Sequence, residues 1–243
     1  MKNNKILQKS WFMLVLRLVL FTGIQGAFAL VFFLFGKSDS WNESANWWPV
    51  IVVLTNLVCL YFLVRFFKEE GSSYWSLFQI RKENVGKDLL VLLGFLVIAA
   101  PISYLPNVLL AKWLFGDANA TLELFIRPLP YWVVYFSLVF FPLTQGLVEI
   151  PTYMLYVMPR FEKAGYKRWL VILLPAFFLS IQHIAVPLLF NGRFIIWRLL
   201  MYLPFAILVA LLMRWRPRFL PYIAFTHVLM DAATAMMLFQ FGY

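Results

Sequence analysis

The chain has 243 residues, a net charge of +10, 63% hydrophobic residues, 13% charged residues and a mean hydropathy of +0.80. A soluble domain carries about a quarter charged residues, so this composition excludes one and indicates an integral membrane protein with little mass outside the lipid. A single cysteine, Cys59, excludes an intramolecular disulfide.

Seven apolar segments are predicted, each near the roughly 20 residues that span a bilayer. They cover 11–35, 47–65, 89–111, 130–158, 168–190, 194–213 and 219–240. The expected fold class is therefore all-α, a polytopic helical bundle forming a single transmembrane domain over 1–243. In the first segment, "AFA" at 27–29 resembles a signal-peptidase site behind a basic amino-terminal region. The apolar run before it is long, contains Arg17 and continues into "LVFFLF", so a retained helix is expected.

The basic residues alternate between loops. The amino-terminal tail holds Lys2, Lys5 and Lys9, and the second loop holds Lys68, Arg81, Lys82 and Lys87 with Arg65 at its edge. The fourth loop holds Arg160, Lys163, Lys167 and Arg168, and the sixth holds Arg214, Arg216 and Arg218. The other loops carry only Lys37, Arg127 and Arg193, and the terminal "FQFGY" carries none. By the positive-inside rule the amino terminus is cytoplasmic. The charge thus reads as topology and attraction to anionic lipid, with the bilayer as partner and no nucleic acid. The stretch 116–129 is expected outside, and 69–87 is expected as a cytoplasmic loop lying partly in the interface. Arg17 and Arg198, near segment ends, are expected to snorkel to the headgroups. Trp41, Trp47, Trp48, Trp113 and Trp132 read as an interfacial aromatic belt. There is no phosphate-binding glycine loop, CxxC pair or HExxH.

What remains is a short set of ionisable residues at membrane depth. Among the eleven acids only Glu149 and Asp231 fall well inside an apolar segment, and so do both histidines, His183 and His227. Each such group costs roughly 2.5–3.5 kcal/mol to insert, and in a bundle interior it marks a functional site by default. His227 and Asp231 are i and i+4 and share a helix face. Glu149 has Gln145 and Tyr153 at i−4 and i+4 and Tyr156 at i+7, a polar stripe that makes Gln145 and Tyr153 candidate cavity or substrate contacts. Pro151 removes a backbone donor, so it should free the Leu147 carbonyl and kink the helix. Counted from the predicted cytoplasmic ends at 1.5 Å per residue, Glu149 and His227 lie about 12–14 Å deep and His183 about 22 Å deep.

These residue types can hydrolyse an amide. A glutamate shielded from bulk water can act as general base, a histidine beside it can share the proton, and a second histidine with an acid can stabilise an oxyanion. The same residues could ligate zinc, and their spacing does not choose between the two uses. No cofactor is required by the first.

"GLVEIPTYMLY", "FFLSIQH" and "IAFTHVLMDA" resemble, in order and separation, the three motifs of the CAAX-protease and bacteriocin-processing (CPBP, or Abi) intramembrane endopeptidases, which include the type II CAAX prenyl endopeptidases. The resemblance covers about residues 140–240, which would form the catalytic core. It implies a glutamic membrane endopeptidase acting on a peptide or membrane-protein substrate. Glu149 and His183 would activate water, while His227 and Asp231 would hold the oxyanion. The expected location is the cell membrane of a bacterium. The family pattern has a Glu-Glu pair followed after three residues by Arg, and Phe-x-x-x-His in the second motif. Here Val148 and Ile150 flank a single acid, Tyr153 or Met154 stands in place of the arginine, and Leu179 replaces the phenylalanine. Two other readings use the same residues: a catalytically silent relative that binds a peptide or lipid or confers bacteriocin immunity, and a small proton-coupled carrier. No inverted repeat supports the carrier.

Overall fold

The structure, a computed structural model, describes residues 2–240. Residues 241–243 of the uncharged carboxyl terminus, and the side chain of Lys2, lie outside the described residues. The described chain is helical, with no strand, and seven helices are long and apolar enough to cross a membrane, as expected of a multi-pass membrane protein. In chain order the helices are α1 (Lys2–Leu34), α2 (Ser40–Asn46), α3 (Trp48–Glu69), α4 (Val85–Phe115) and α5 (Ala120–Phe125). They continue with α6 (Tyr131–Ile150), a π-helix (Pro151–Val157), α7 (Met158–Lys163) and α8 (Arg168–Ile181). The last are α9 (Gly192–Met201), α10 (Leu203–Trp215) and α11 (Leu220–Gln240).

The basic loops gather at one end. Lys9 pairs with Glu69 at 2.5 Å, Arg160 with Glu70 at 2.6 Å, Arg214 with Glu162 at 2.6 Å and Arg218 with Asp88 at 2.7 Å. These contacts put the start of α1, the loop after α3, α7 and the α10–α11 connection side by side, as the alternation of charge requires. The "AFA" stretch passes unbroken within α1.

Three departures from simple spanning helices shape the interior. The first is at Pro151. The Leu147 carbonyl, left without its helical donor, accepts a hydrogen bond from the Tyr74 hydroxyl. The chain then continues as a π-helix from Pro151 to Val157, an irregular turn beside a functional group. Tyr74 is buried on a short 3₁₀ turn, Tyr74–Phe78, so this ring of the loop expected at the interface reaches into the bundle while Trp75 stays exposed.

The second departure is the end of α8. Segment five was expected to run to residue 190, yet the helix stops at Ile181, passes through a 3₁₀ turn (Gln182–Ala185) and continues irregularly to Asn191. Irregular backbone in a membrane interior needs internal hydrogen-bond partners. Arg198 supplies two, donating through Nε to the His183 carbonyl at 2.9 Å and through Nη2 to the Val186 carbonyl at 2.5 Å. Gln25 supplies two more, accepting from the Leu188 amide at 2.8 Å and donating to the Leu188 carbonyl at 2.9 Å. Arg198 is 3% exposed, so it does not snorkel. Its cost of burial is offset by carbonyls that only a broken helix exposes.

The third departure is segment six, which divides at Tyr202 into α9 and α10, with Pro204 near the start of α10. The Tyr202 ring lies against the His183 imidazole, centroids 4.0 Å apart.

A close crossing of α6 and α11 is fixed by one glycine. A Cβ at Gly146 on α6 would meet Val228 Cγ2 at 2.5 Å and the Ala224 carbonyl at 2.9 Å on α11, so only glycine fits. That contact sets how near α11 can bring His227 to α6.

Candidate active site

Glu149, His183, His227 and Asp231 line one cavity of about 170 Å³ together with Gln145, Leu179 and Tyr202. It has room for several water molecules at about 30 Å³ each. The four residues singled out in the sequence therefore face a common space, contributed by α6, the turn after α8, and α11. The depth mismatch of His183 also resolves. Segment four does not end at residue 158: it extends through the π-helix and α7, so Glu149 lies fourteen residues from Lys163 and His183 fifteen from Arg168.

Glu149 is 3% exposed, and its two oxygens differ. Oε1 accepts from Gln145 Nε2 at 2.8 Å and from Gln182 Nε2 at 2.6 Å. It also lies 3.8 Å from Arg17 Nη2 and 3.7 Å from His183 Nε2. Oε2 faces the other way, 3.3 Å from His227 Nε2, which in turn is 3.3 Å from Asp231 Oδ2.

The reason for this asymmetry is Arg17, which sequence reasoning assigned to the headgroups. Because α1 begins at Lys2, not at residue 11, Arg17 sits well inside the span and is 0% exposed. Its guanidinium donates through Nε to Gln182 Oε1 at 2.5 Å, through Nη1 to Asn56 Oδ1, and through Nη2 to Gln145 Oε1 at 3.0 Å. Arginine has donors and no acceptor. It therefore dictates the orientation of all three amides, turning each carbonyl oxygen toward itself. The two glutamine NH2 groups are left pointing at Glu149 Oε1. Asn56, oriented the same way, donates to Gln145 Oε1 at 3.0 Å and to Thr144 Oγ1 at 3.1 Å. The Tyr153 hydroxyl completes the shell by donating to Gln182 Oε1 at 3.1 Å.

His183 is oriented by backbone. Its Nδ1 is 2.8 Å from the Leu179 carbonyl, which can only accept, so in the neutral ring Nδ1 carries the hydrogen and Nε2 is the acceptor. Two acceptors 3.7 Å apart, His183 Nε2 and Glu149 Oε1, leave a position that a water could bridge at hydrogen-bond distance. On α11 the reverse holds. His227 Nδ1 and Asp231 Oδ2 are buried with no hydrogen-bond partner.

The expected contacts divide. Gln145 lines the cavity and touches Glu149. Tyr153 is fully buried and does not line the cavity, reaching the site through Gln182 and the Arg17 shell. Tyr156 leaves the stripe altogether: it donates to Glu70 Oε1 at 3.1 Å and stacks under Arg160 at 3.6 Å. The wider π turns rotate residues after Pro151 away from the face that i+7 spacing in an α-helix predicts. Trp48, grouped with the aromatic belt, is 3% exposed and lines the cavity, donating to the Phe125 carbonyl at 3.0 Å. Trp113 and Trp132, at 74% and 64% exposed, have the exposure of a belt.

Asn56 and Gln182 drew no attention as neutral amides, although both lie inside predicted apolar segments, and that placement was the available signal. The site also draws Arg17 and Asn56 from outside 140–240. Among the described residues, no group of three or more His, Cys, Asp or Glu side chains is placed to hold a metal ion. No family model, curated protein or solved structure matches the chain.

Proposed function

We propose that the protein is an intramembrane endopeptidase of glutamic type, similar in its site to the CPBP endopeptidases, with Glu149 as general base. The observation that supports it most is the division of Glu149: Oε1 is occupied by two amide hydrogens, while Oε2 retains lone pairs facing an internal cavity. In this reading a water held near the carboxyl and His183 Nε2 gives a proton to Glu149 as its oxygen attacks the carbonyl carbon of a peptide bond. The tetrahedral oxyanion is met by His227, whose unpartnered Nδ1 is a donor when the ring carries both hydrogens, with Nε2 directed at Asp231. Proton return from Glu149 to the leaving amine completes cleavage. The basic end, cytoplasmic by the positive-inside rule, would be the side from which substrate arrives.

The degraded first motif bears on this reading through Arg17. The guanidinium that does not follow Glu149 in sequence is supplied from α1, 3.8 Å from its carboxyl. The same observation favours a second reading, a catalytically silent binding relative, since a carboxylate matched by an arginine and two amides is also what a purely structural ion pair requires.

The two part company in one experiment. Cells expressing wild type and Glu149→Gln at matched membrane levels are compared by mapping new peptide amino termini across the membrane proteome. Termini present with the wild type and absent with a folded Glu149→Gln support the endopeptidase. Identical maps, with the wild-type phenotype intact in both, assign the protein to the binding class.

A further inference from the structure

The seam between α4 on one side and α10 and α11 on the other holds two recesses that hydrolysis does not use. At membrane depth lies an apolar groove of about 500 Å³ lined by Phe95, Ala100, Tyr104, Phe205, Ile223 and Met230. Ser103, Phe205, His227 and Met230 line both this groove and the cavity around Glu149, so the two adjoin. Tyr104 and Met230, at 63% and 47% exposed, open the groove sideways toward lipid. At the basic end of the same seam a second recess of about 530 Å³ is lined by Arg81, ahead of α4, and by Trp215, Arg216, Pro217 and Arg218 between α10 and α11.

The charges in the second recess are only partly matched. Arg218 gives Nη2 to Asp88 Oδ1 at 2.7 Å and keeps Nε without a partner. Arg81 and Arg216 enter no ion pair among the described residues. Arg216 lies 4.3 Å over the ring of Trp215, which is 63% exposed, the arrangement of an aromatic at the headgroup level.

We propose that this seam binds an anionic phospholipid, its phosphate held by Arg81 and Arg216 and one acyl chain laid in the groove as far as His227. Along α11, Ile223 is five residues past Arg218 and Met230 twelve, so the groove reaches about 7 to 18 Å below the arginines. That matches the hydrocarbon depth of one leaflet, about 15 Å. The groove offers few polar atoms to a peptide backbone: the Tyr104 hydroxyl at its open side and His227 at its inner end. The Ser103 hydroxyl is spent on the Ala100 carbonyl at 3.0 Å and that of Thr226 on the Tyr222 carbonyl at 3.0 Å. A chain bound there must bring no unsatisfied polar groups, which hydrocarbon does and extended peptide does not. Guanidinium groups in turn prefer phosphate, and a basic protein face prefers anionic headgroups. A bound chain closes the side of the catalytic cavity at His227. The proposal does not depend on the protein being a protease.

Native mass spectrometry of the purified full chain tests it, with long-chain phosphatidylglycerol, long-chain phosphatidylcholine, dihexanoyl phosphatidylglycerol and inorganic phosphate as probes. Long-chain phosphatidylglycerol should be retained and phosphatidylcholine should not. The double variant Arg81→Gln/Arg216→Gln should weaken long-chain phosphatidylglycerol roughly thirtyfold, whereas Arg81→Lys/Arg216→Lys should keep most of it. Ala100→Phe, which fills the groove, should weaken the long-chain lipid and spare the dihexanoyl one. Equal retention of phosphatidylcholine, or wild-type affinity in both the double Gln variant and Ala100→Phe, overturns the proposal. Dihexanoyl lipid or phosphate binding as tightly as the long-chain lipid overturns it as well, since the site would then be a headgroup patch without a chain groove.

Discussion

The two sides of Glu149 are built on opposite plans. Toward α1 and α3 the polar groups interlock: Arg17 serves three amide oxygens, Asn56 donates to Gln145, and the NH2 groups of Gln145 and Gln182 both end on Oε1. Toward α11, His227 and Asp231 approach at 3.3 Å but retain a ring nitrogen and a carboxyl oxygen with no hydrogen-bond partner. A buried network pays for itself only when it is complete. The open positions, at His183 Nε2 and on α11, therefore separate the working face from the Arg17 scaffold.

Substitutions on the two sides should consequently fail in different ways. The largest loss of stability is expected from Arg17→Met, which strands the Glu149 charge and three amide oxygens. Breaking a buried pair by removing one partner costs about 3–5 kcal/mol, so little folded protein should survive extraction in a mild detergent. Survival with an unchanged melting temperature would show that the scaffold side is not held by Arg17. Next comes Gly146→Val, which forces α6 and α11 apart at their close crossing and should cost about 1–3 kcal/mol. A melting curve measures the cost, and a distance label on α11 should report the separation. Tyr74→Phe removes the hydroxyl that donates to the Leu147 carbonyl and should cost about 1 kcal/mol, seen as a small drop in melting temperature. Asp231→Asn is expected to do least to the fold, because Oδ2 makes no hydrogen bond and meets only His227 Nε2, at 3.3 Å. Its melting temperature should match the wild type, while cleavage, in the proposed reading, falls by roughly 10²–10³-fold.

The sequence makes the bundle legible because spanning is a matter of apolar length, and all seven segments could be marked from hydropathy. The ionisable residues on α6, the turn after α8 and α11 could be found because charge is rare in such segments. Arg17 and Arg198 were harder. An arginine within a turn or two of a segment end is normally free to reach water. What keeps these two inside is a pair of glutamines and an asparagine on other helices in one case, and the broken end of α8 in the other. Neither partner set is encoded near the arginine. Tyr156 illustrates the converse. Its i+7 spacing from Glu149 pointed to the cavity, and the π-helix after Pro151 turned it to Glu70 instead. Periodicity fails where proline changes the period.

The central claim is that α11 reacts while the Arg17 side holds, and His227→Gln tests it most directly. The variant should be purified for a melting curve, and its cells mapped for new peptide amino termini beside the wild type. The account predicts a melting temperature within a few degrees of wild type and loss of the wild-type termini. A lowered melting temperature with the termini retained would contradict it, making His227 part of the scaffold and leaving the reaction without its oxyanion partner.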